Sequence, residues 1–89
     1  MRRELEAILG EELRFLAIKT REEMDLTQRE MGERLQMSES SYSDIETGKT
    51  KCGMLTSVLL LDMQDDPKDF LQRVETKISD KYETEMPIK

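Results

Sequence analysis

The sequence lacks histidine altogether, and Cys52 is its single cysteine. Histidine is the commonest general base and metal ligand in proteins, so its absence removes the usual Ser/His and Cys/His nucleophile pairs. A lone cysteine can form neither an intramolecular disulfide nor a cysteine zinc site. The glycine-rich phosphate loops of nucleotide-binding enzymes are also missing. We therefore predict that the protein is not an enzyme, with no catalytic residue, metal site or cofactor.

Long hydrophobic runs are missing too, because no stretch approaches the roughly 18 apolar residues of a membrane span. Acidic residues interrupt the N-terminal stretch MRRELEAILGEELRFL, which argues against a signal peptide. We therefore expect a cytoplasmic protein with no membrane association. The chain has 89 residues, which fits one domain, and 38% of them are charged. Its net charge of −6 is unusual for a nucleic-acid binder.

Apolar residues recur at the three-and-four spacing of amphipathic helices along most of the chain. Thr27 and Glu30 form a capping box that begins a second helix, and Ser38 is a favourable N-cap for a third. Asp66 and Pro67 mark the start of the last helix. We predict an all-α, compact fold of five helices without strands, in one domain at 1–83 with a flexible tail at 84–89. The expected helices lie at about 3–24, 28–36, 39–47, 54–63 and 67–83.

The fourth helix is apolar nearly all round its circumference, which is typical of a helix covered on more than one side. Together with the last helix it offers a surface for a partner, and we expect a homodimer. In the alternative reading, the long first helix covers both of them inside one monomer. The residues to inspect for a dimer interface are Phe15, Leu16, Leu60, Leu61, Phe70 and Val74.

The central segment TREEMDLTQREMGERLQMSESSYSDIETGKTK contains two short helices joined by a tight turn, which has the dimensions of a helix-turn-helix. It resembles the Cro and phage-repressor type of helix-turn-helix domain, the XRE family, over about residues 14 to 71. The resemblance implies a lambda-repressor-like domain, here with extended first and last helices, in a regulator that binds double-stranded DNA. The matching residues are Arg21, Leu26, Thr27, Gln28, Met31, Gly32, Met37, Ser38, Ile45, Glu46 and Gly48.

The resemblance also implies roles for individual residues. Arg21 and Glu46 occupy the positions of a partly buried salt bridge between the first and third helices. Gln28, at the start of the second helix, matches the position that bonds a DNA phosphate. Lys49 and Lys51 lie just past the third helix, where lysines and backbone amides meet the phosphodiester chain. In the alternative reading, both are ordinary surface lysines.

The third helix occupies the recognition position, so its N-terminal side chains are expected to enter the major groove. The chain departs here from the commoner family pattern, in which Arg, Gln, Asn and Thr predominate. A carboxylate can accept a hydrogen bond from cytosine N4, but it also meets the negative field of the duplex. The small serine side chains would let the helix backbone approach the groove floor closely. In the alternative reading, they belong to a water-exposed helix that contacts no bases. Tyr42 is expected in the core, and the expected base-facing residues are Glu39, Ser40 and Asp44, with Ser38, Ser41 and Ser43 beside them.

The distribution of charge bears more on DNA binding than the net charge does. Most acids lie away from the candidate face, and four cations cluster around it in the sequence. If all four meet phosphates in each subunit, the salt dependence of a bound dimer has a log–log slope of about −7. The alternative function is a protein-interaction module, antirepressor or antitoxin-like, whose acidic third helix does not bind DNA. The four cations are Arg29, Arg34, Lys49 and Lys51.

Overall fold

The computed structural model describes residues 1–85, with side chains through Lys81, so most of the predicted tail at 84–89 lies outside the described residues. Within this range the chain is all-α, as predicted, with five helices and no strand. No helix in it is both long and apolar enough to cross a membrane. The helices are α1 (Arg2–Glu23), α2 (Gln28–Arg34), α3 (Glu39–Glu46), α4 (Met54–Asp62) and α5 (Pro67–Glu85).

The long helix α1 organises the core, because α3, α4 and α5 all pack against it. The helices α2 and α3 are only seven and eight residues long. Isolated helices of that length are not stable in water, so α2 and α3 depend on packing against each other and on the core that they share with α1. Each fully buried aliphatic or aromatic side chain contributes about 1.5–3 kcal/mol to this packing. The core consists of Leu13, Leu16, Ala17, Met31, Leu35, Tyr42, Leu60, Phe70 and Val74.

Four of the six residues predicted for a dimer interface belong to this core, so that prediction is wrong for them. Leu16, Leu60, Phe70 and Val74 are at most 8% exposed. The side chain of Leu61 is half-buried against the same core. As in the alternative reading, α1 packs against α4 and α5 inside one monomer, although one side of α4 stays exposed. Of the six, Phe15 alone stays largely exposed, at 48%.

Polar contacts also fasten α1 to the elements that cover it. The Glu12 carboxylate on α1 is 5% exposed, and the Lys77 ammonium on α5 lies 2.9 Å from it. Gln64, in the connection between α4 and α5, donates from Nε2 to Thr20 Oγ1 at 3.0 Å. These contacts join α1 to α5 and to the connection that precedes it.

Candidate nucleic-acid interface

The turn between α2 and α3 is tight because two residues permit it. Gly32 is buried, and a Cβ atom at this position would lie 2.9 Å from the carbonyl oxygen of Met37. Only glycine therefore lets α2 come this close to the turn. Gln36 adopts a φ of 62°, in the left-handed region, so α2 ends at Arg34 rather than at the predicted residue 36.

Both short helices begin at side-chain caps, which fix where the candidate interface starts. Thr27 Oγ1 accepts from the Glu30 amide at 3.0 Å, and the Glu30 carboxylate accepts from the Thr27 amide at 2.9 Å. This is the predicted capping box. Ser38 Oγ accepts from the Ser41 amide at 3.1 Å. The two serine hydroxyls also bond each other at 3.0 Å, so both have protein partners at the start of α3.

The end of α3 is closed by backbone hydrogen bonds that position the following lysine-bearing segment. Gly48 has a φ of 83°, and its amide donates to the Ile45 carbonyl at 3.1 Å. The amides of Lys49 and Thr50 donate to the Asp44 carbonyl at 2.9 and 3.2 Å. This is the hydrogen-bond pattern of a glycine-terminated helix end. The backbone of residues 48–50 is thereby held against the end of α3.

The inward face of α3 is fixed by a hydrogen-bond network around the carboxylate of Glu46, which is 9% exposed. Oε2 accepts from Arg21 Nε and from the hydroxyl of Tyr42, each at 2.6 Å. Oε1 accepts from Gln28 Nε2 at 2.9 Å and from Arg21 Nη2 at 3.2 Å. One carboxylate on α3 therefore joins side chains of α1 and α2, and each of its oxygens has two donors.

The pKa of each ionisable group in this network follows from its surroundings. Burial acts to raise the pKa of Glu46, but the hydrogen bonds from Arg21, Tyr42 and Gln28 outweigh it and hold the pKa below the ordinary glutamate value. The hydrogen bond to Glu46 raises the pKa of Arg21 despite its partial burial. Burial, followed by the hydrogen bond to Glu46, raises the pKa of Tyr42. Glu46 is therefore ionised and Tyr42 is a neutral donor at neutral pH.

Tyr42 is 0% exposed and belongs to the core, as expected from the sequence, so its ring is not available to stack on a base. Gln28 is half-buried, and its amide nitrogen already donates to Glu46. That nitrogen carries two hydrogens, so the second one remains for the predicted phosphate contact. The network would then hold the Gln28 side chain in one orientation at the start of α2.

Arg14 is a residue of this region that sequence reasoning missed. Its Nη1 donates to the backbone carbonyl of Glu46 at 2.9 Å, and its Nη2 lies 2.8 Å from the Glu11 carboxylate. Its guanidinium also lies 4.8 Å from the ring centroid of Phe15. Arg14 therefore ties the end of α3 to α1. A contact between residues 32 apart in sequence leaves no local signal.

The outward face of α3 carries one carboxylate and small polar side chains. Tyr42 and Ile45 are buried, so Ser40 and Asp44, which follow each other at helical spacing, lie on the opposite side. Ser40 is exposed and Asp44 is half-exposed. Thr47, which the sequence analysis did not include, is next in the same row and is exposed. This row is the side of α3 that faces away from the core.

The other predicted base-facing residues lie beside this row. Glu39 is exposed and lines a shallow depression shared with α2, together with Arg29 and Glu33. Ser41 is exposed and Ser43 is half-exposed. The acidic depression is thus separate from the row through Asp44, and Glu39 is the more distant of the two carboxylates from the middle of the outward face.

The four predicted cations differ in their surroundings. Arg29 is exposed and lies 3.7 Å from the Glu33 carboxylate, also exposed. Lys49 and Lys51 are exposed just after α3, and Arg34 is exposed near the end of α2. Among the described residues, no ion pair involves Lys49, Lys51 or Arg34. These three side chains can therefore contact an anion without first breaking an ion pair inside the described part of the protein.

Comparison with protein families matches residues 8–56 to a helix-turn-helix domain. The match spans α1 from Ile8 onward, the whole α2–α3 unit and the start of α4. It confirms the helix-turn-helix resemblance found in the sequence. No curated protein and no solved structure matches the chain.

Proposed function

Because the chain belongs to the helix-turn-helix domain family, we propose that it is a transcriptional regulator that binds double-stranded DNA at specific sequences. In this proposal α3 enters the major groove, while Gln28 and the lysines after α3 bond phosphates on either side of it. The protein acts in the cytoplasm as a homodimer of the XRE type, which either represses by blocking RNA polymerase or activates by recruiting it. We assign it no enzymatic role.

A single observation carries the proposal. The inward face of α3 is held by the Glu46 network, whereas its outward row through Ser40 and Asp44 retains solvent access. Exposed Lys49 and Lys51 follow directly on a backbone that is hydrogen-bonded to α3. A rigid helix with an accessible polar row and adjacent cations is the arrangement that groove binding requires.

The test is selection from a pool of random duplexes by the purified protein at low and at moderate salt. We expect enrichment of an inverted repeat, and binding that weakens as salt rises. The paired variant Lys49→Glu/Lys51→Glu should abolish binding. The matched control is Lys19→Glu/Lys68→Glu, which makes the same charge change at exposed positions on α1 and α5. Equal loss in both variants would show that net charge, rather than this face, governs binding.

The acidic character of α3 favours one alternative. Its outward and flanking side chains include Asp44 and Glu39, and α3 itself contains no cation. Such a surface suits a basic protein partner, as in an antirepressor or antitoxin-like module. Failure to enrich any duplex, together with capture of a basic protein that Asp44→Lys releases, would establish this alternative instead.

A further inference from the structure

The outer face of α4, formed by Met54, Leu55 and Val58, is apolar and uncovered in the monomer. These side chains are 85%, 64% and 58% exposed. They lie within residues 52–61, ten consecutive positions without a charge, in a chain that is 38% charged. Contiguous exposed apolar side chains on a small protein usually mark an interface.

The direction of this face follows from the burial of the rest of the helix. Leu60 is 0% exposed in the core, and Leu59 and Leu61 pack partly buried on either side of it. Helical geometry places Val58 on the side opposite Leu60. Asp62 is exposed and stands four residues after Val58, so it lies on the same side at the end of the helix.

We propose that the outer face of α4 binds the same face of a second copy, with the two helices antiparallel and Val58 at the two-fold axis. This inference rests on the proposed DNA-binding function only because a bound duplex is expected to strengthen the pairing. Val58 is the middle residue of Met54–Asp62. In an isologous pair, the middle of each helix meets its own counterpart.

The charges at the ends of α4 favour a second copy over an unrelated partner. The N-terminal end is positive, because the helix dipole and Lys51 have the same sign there, whereas Asp62 and the opposite dipole end make the C-terminal end negative. Antiparallel pairing brings the positive end of one helix toward the negative end of the other. Elsewhere, the net charge of −6 makes copies repel. The outer face of α4 is thus self-complementary.

The size of this face makes the pair weak without DNA. Stable specific interfaces bury about 1,200–2,000 Å² in total, and three apolar side chains per copy supply less than that. Only Cys52 and Gly53 separate Lys51 from the start of α4, so the pairing face and the lysines of the proposed phosphate contacts adjoin in the chain. A duplex that holds two copies would raise their effective concentration at this axis. The protein is then a monomer in dilute solution and pairs on an inverted repeat.

Cysteine cross-linking tests the axis directly. In the double variant Cys52→Ser/Val58→Cys, mild oxidation should give a disulfide-linked dimer, and the yield should rise when the selected duplex is added. The matched control is Cys52→Ser/Ser79→Cys, which places the thiol at an exposed position on α5. Equal yields for the two variants, or no dimer for Val58→Cys on the duplex, would overturn the proposal.

Binding measurements separate the pairing from DNA recognition. Leu55→Glu and Asp62→Lys should each weaken binding to the selected inverted repeat by about tenfold or more, through lost avidity. Binding to a single half-site should stay within about twofold of the parent. If the variants bind the inverted repeat as tightly as the parent does, the α4 pairing is wrong while the proposed function stands. If the parent enriches no duplex, the proposed function fails, and cross-linking of Val58→Cys at increasing protein concentration still decides the pairing.

Discussion

At the scale of single residues, Glu46 is the side chain on which the position of α3 most depends. Its carboxylate receives four hydrogen bonds from three side chains on α1, α2 and α3. Glu46→Gln keeps the shape but removes the charge that Arg21 pairs with. Breaking a buried pair from one side typically costs about 3–5 kcal/mol. Because Arg21 is partly exposed, we expect a loss of unfolding free energy at the lower end of this range, about 3 kcal/mol at pH 7, measured by urea unfolding.

The pH dependence of this loss provides its control. The pKa of Glu46 is lowered in the folded protein, so its contribution is present above the unfolded pKa of about 4.3 and disappears as pH falls through the lower folded pKa. The parent and Glu46→Gln should therefore approach each other in stability below about pH 4. A difference that is constant from pH 7 to pH 3 would show that the carboxylate charge is not the cause.

Asp44 is the residue whose replacement should change what the interface reads. A carboxylate in the groove accepts from cytosine N4, whereas an asparagine amide pairs with adenine N6 and N7. Asp44→Asn should move the selected base from cytosine to adenine at one position per half-site, with about 1–3 kcal/mol of discrimination. It should also raise affinity, since one negative charge leaves the duplex field. Selection from random duplexes measures both effects.

The matched control for Asp44 is Asp65→Asn, an equal charge change at an exposed site in the α4–α5 connection. It should leave the selected sequence unchanged. If both variants select the parent sequence, Asp44 does not contact a base.

At the scale of secondary-structure elements, two glycines give opposite predictions for the same substitution. Gly10 lies within α1, and a Cβ atom there would have no neighbour within 4 Å. Gly10→Ala should stabilise the protein by about 1 kcal/mol through helix propensity. Gly32→Ala should destabilise it by about 1–3 kcal/mol, because its Cβ would overlap the Met37 carbonyl. Thermal unfolding of the two variants, with opposite shifts in Tm, checks both.

The features that could be predicted from sequence are those that neighbouring residues decide. The capping box at Thr27 and Glu30 needs only residues three apart. The same holds for the Ser38 cap of α3 and for the glycine that ends it. These local signals locate α2 and α3 and therefore the candidate interface. Tyr42 was also predicted to be buried, because it belongs to the apolar stripe of α3.

The features that could not be predicted depend on which elements meet. The apolar pattern of α4 indicates burial on several sides, yet it does not say which side stays open. The structure buries Leu60 and leaves Val58 exposed, and this overturned the predicted dimer residues on α4. The contact of Arg14 with the end of α3 and the hydrogen bond from Gln28 to Glu46 likewise arise only after folding. Local sequence signals therefore located the two short helices better than the long-range contacts that support them.

At the scale of the whole molecule, the net charge of −6 does not describe the surface near α3. Ion pairs such as Glu46–Arg21 and Glu12–Lys77 each remove one charge of either sign, so they leave the net charge unchanged and local charge must be considered separately. By contrast, Lys49 and Lys51 are exposed and have no ion pair among the described residues. Coulomb interactions beyond about 10 Å are screened at 0.1 M salt. In the proposed DNA complex, the lysines beside α3 would therefore act on phosphates more strongly than remote acids do.

This difference between local and net charge can be measured as a salt slope. Each lysine lost from a phosphate contact flattens the log–log dependence of affinity on salt by about 0.9. Lys49→Gln/Lys51→Gln should therefore flatten the slope by about 1.8 for a bound monomer and by about 3.6 for a bound dimer. The control Lys19→Gln/Lys68→Gln has the same net charge but should leave the slope unchanged. A change of about 3.6 on an inverted repeat and of about 1.8 on a half-site would show that both lysines contact phosphates and that two subunits bind the repeat. An unchanged slope in the first variant would place the DNA contacts on another face of the protein.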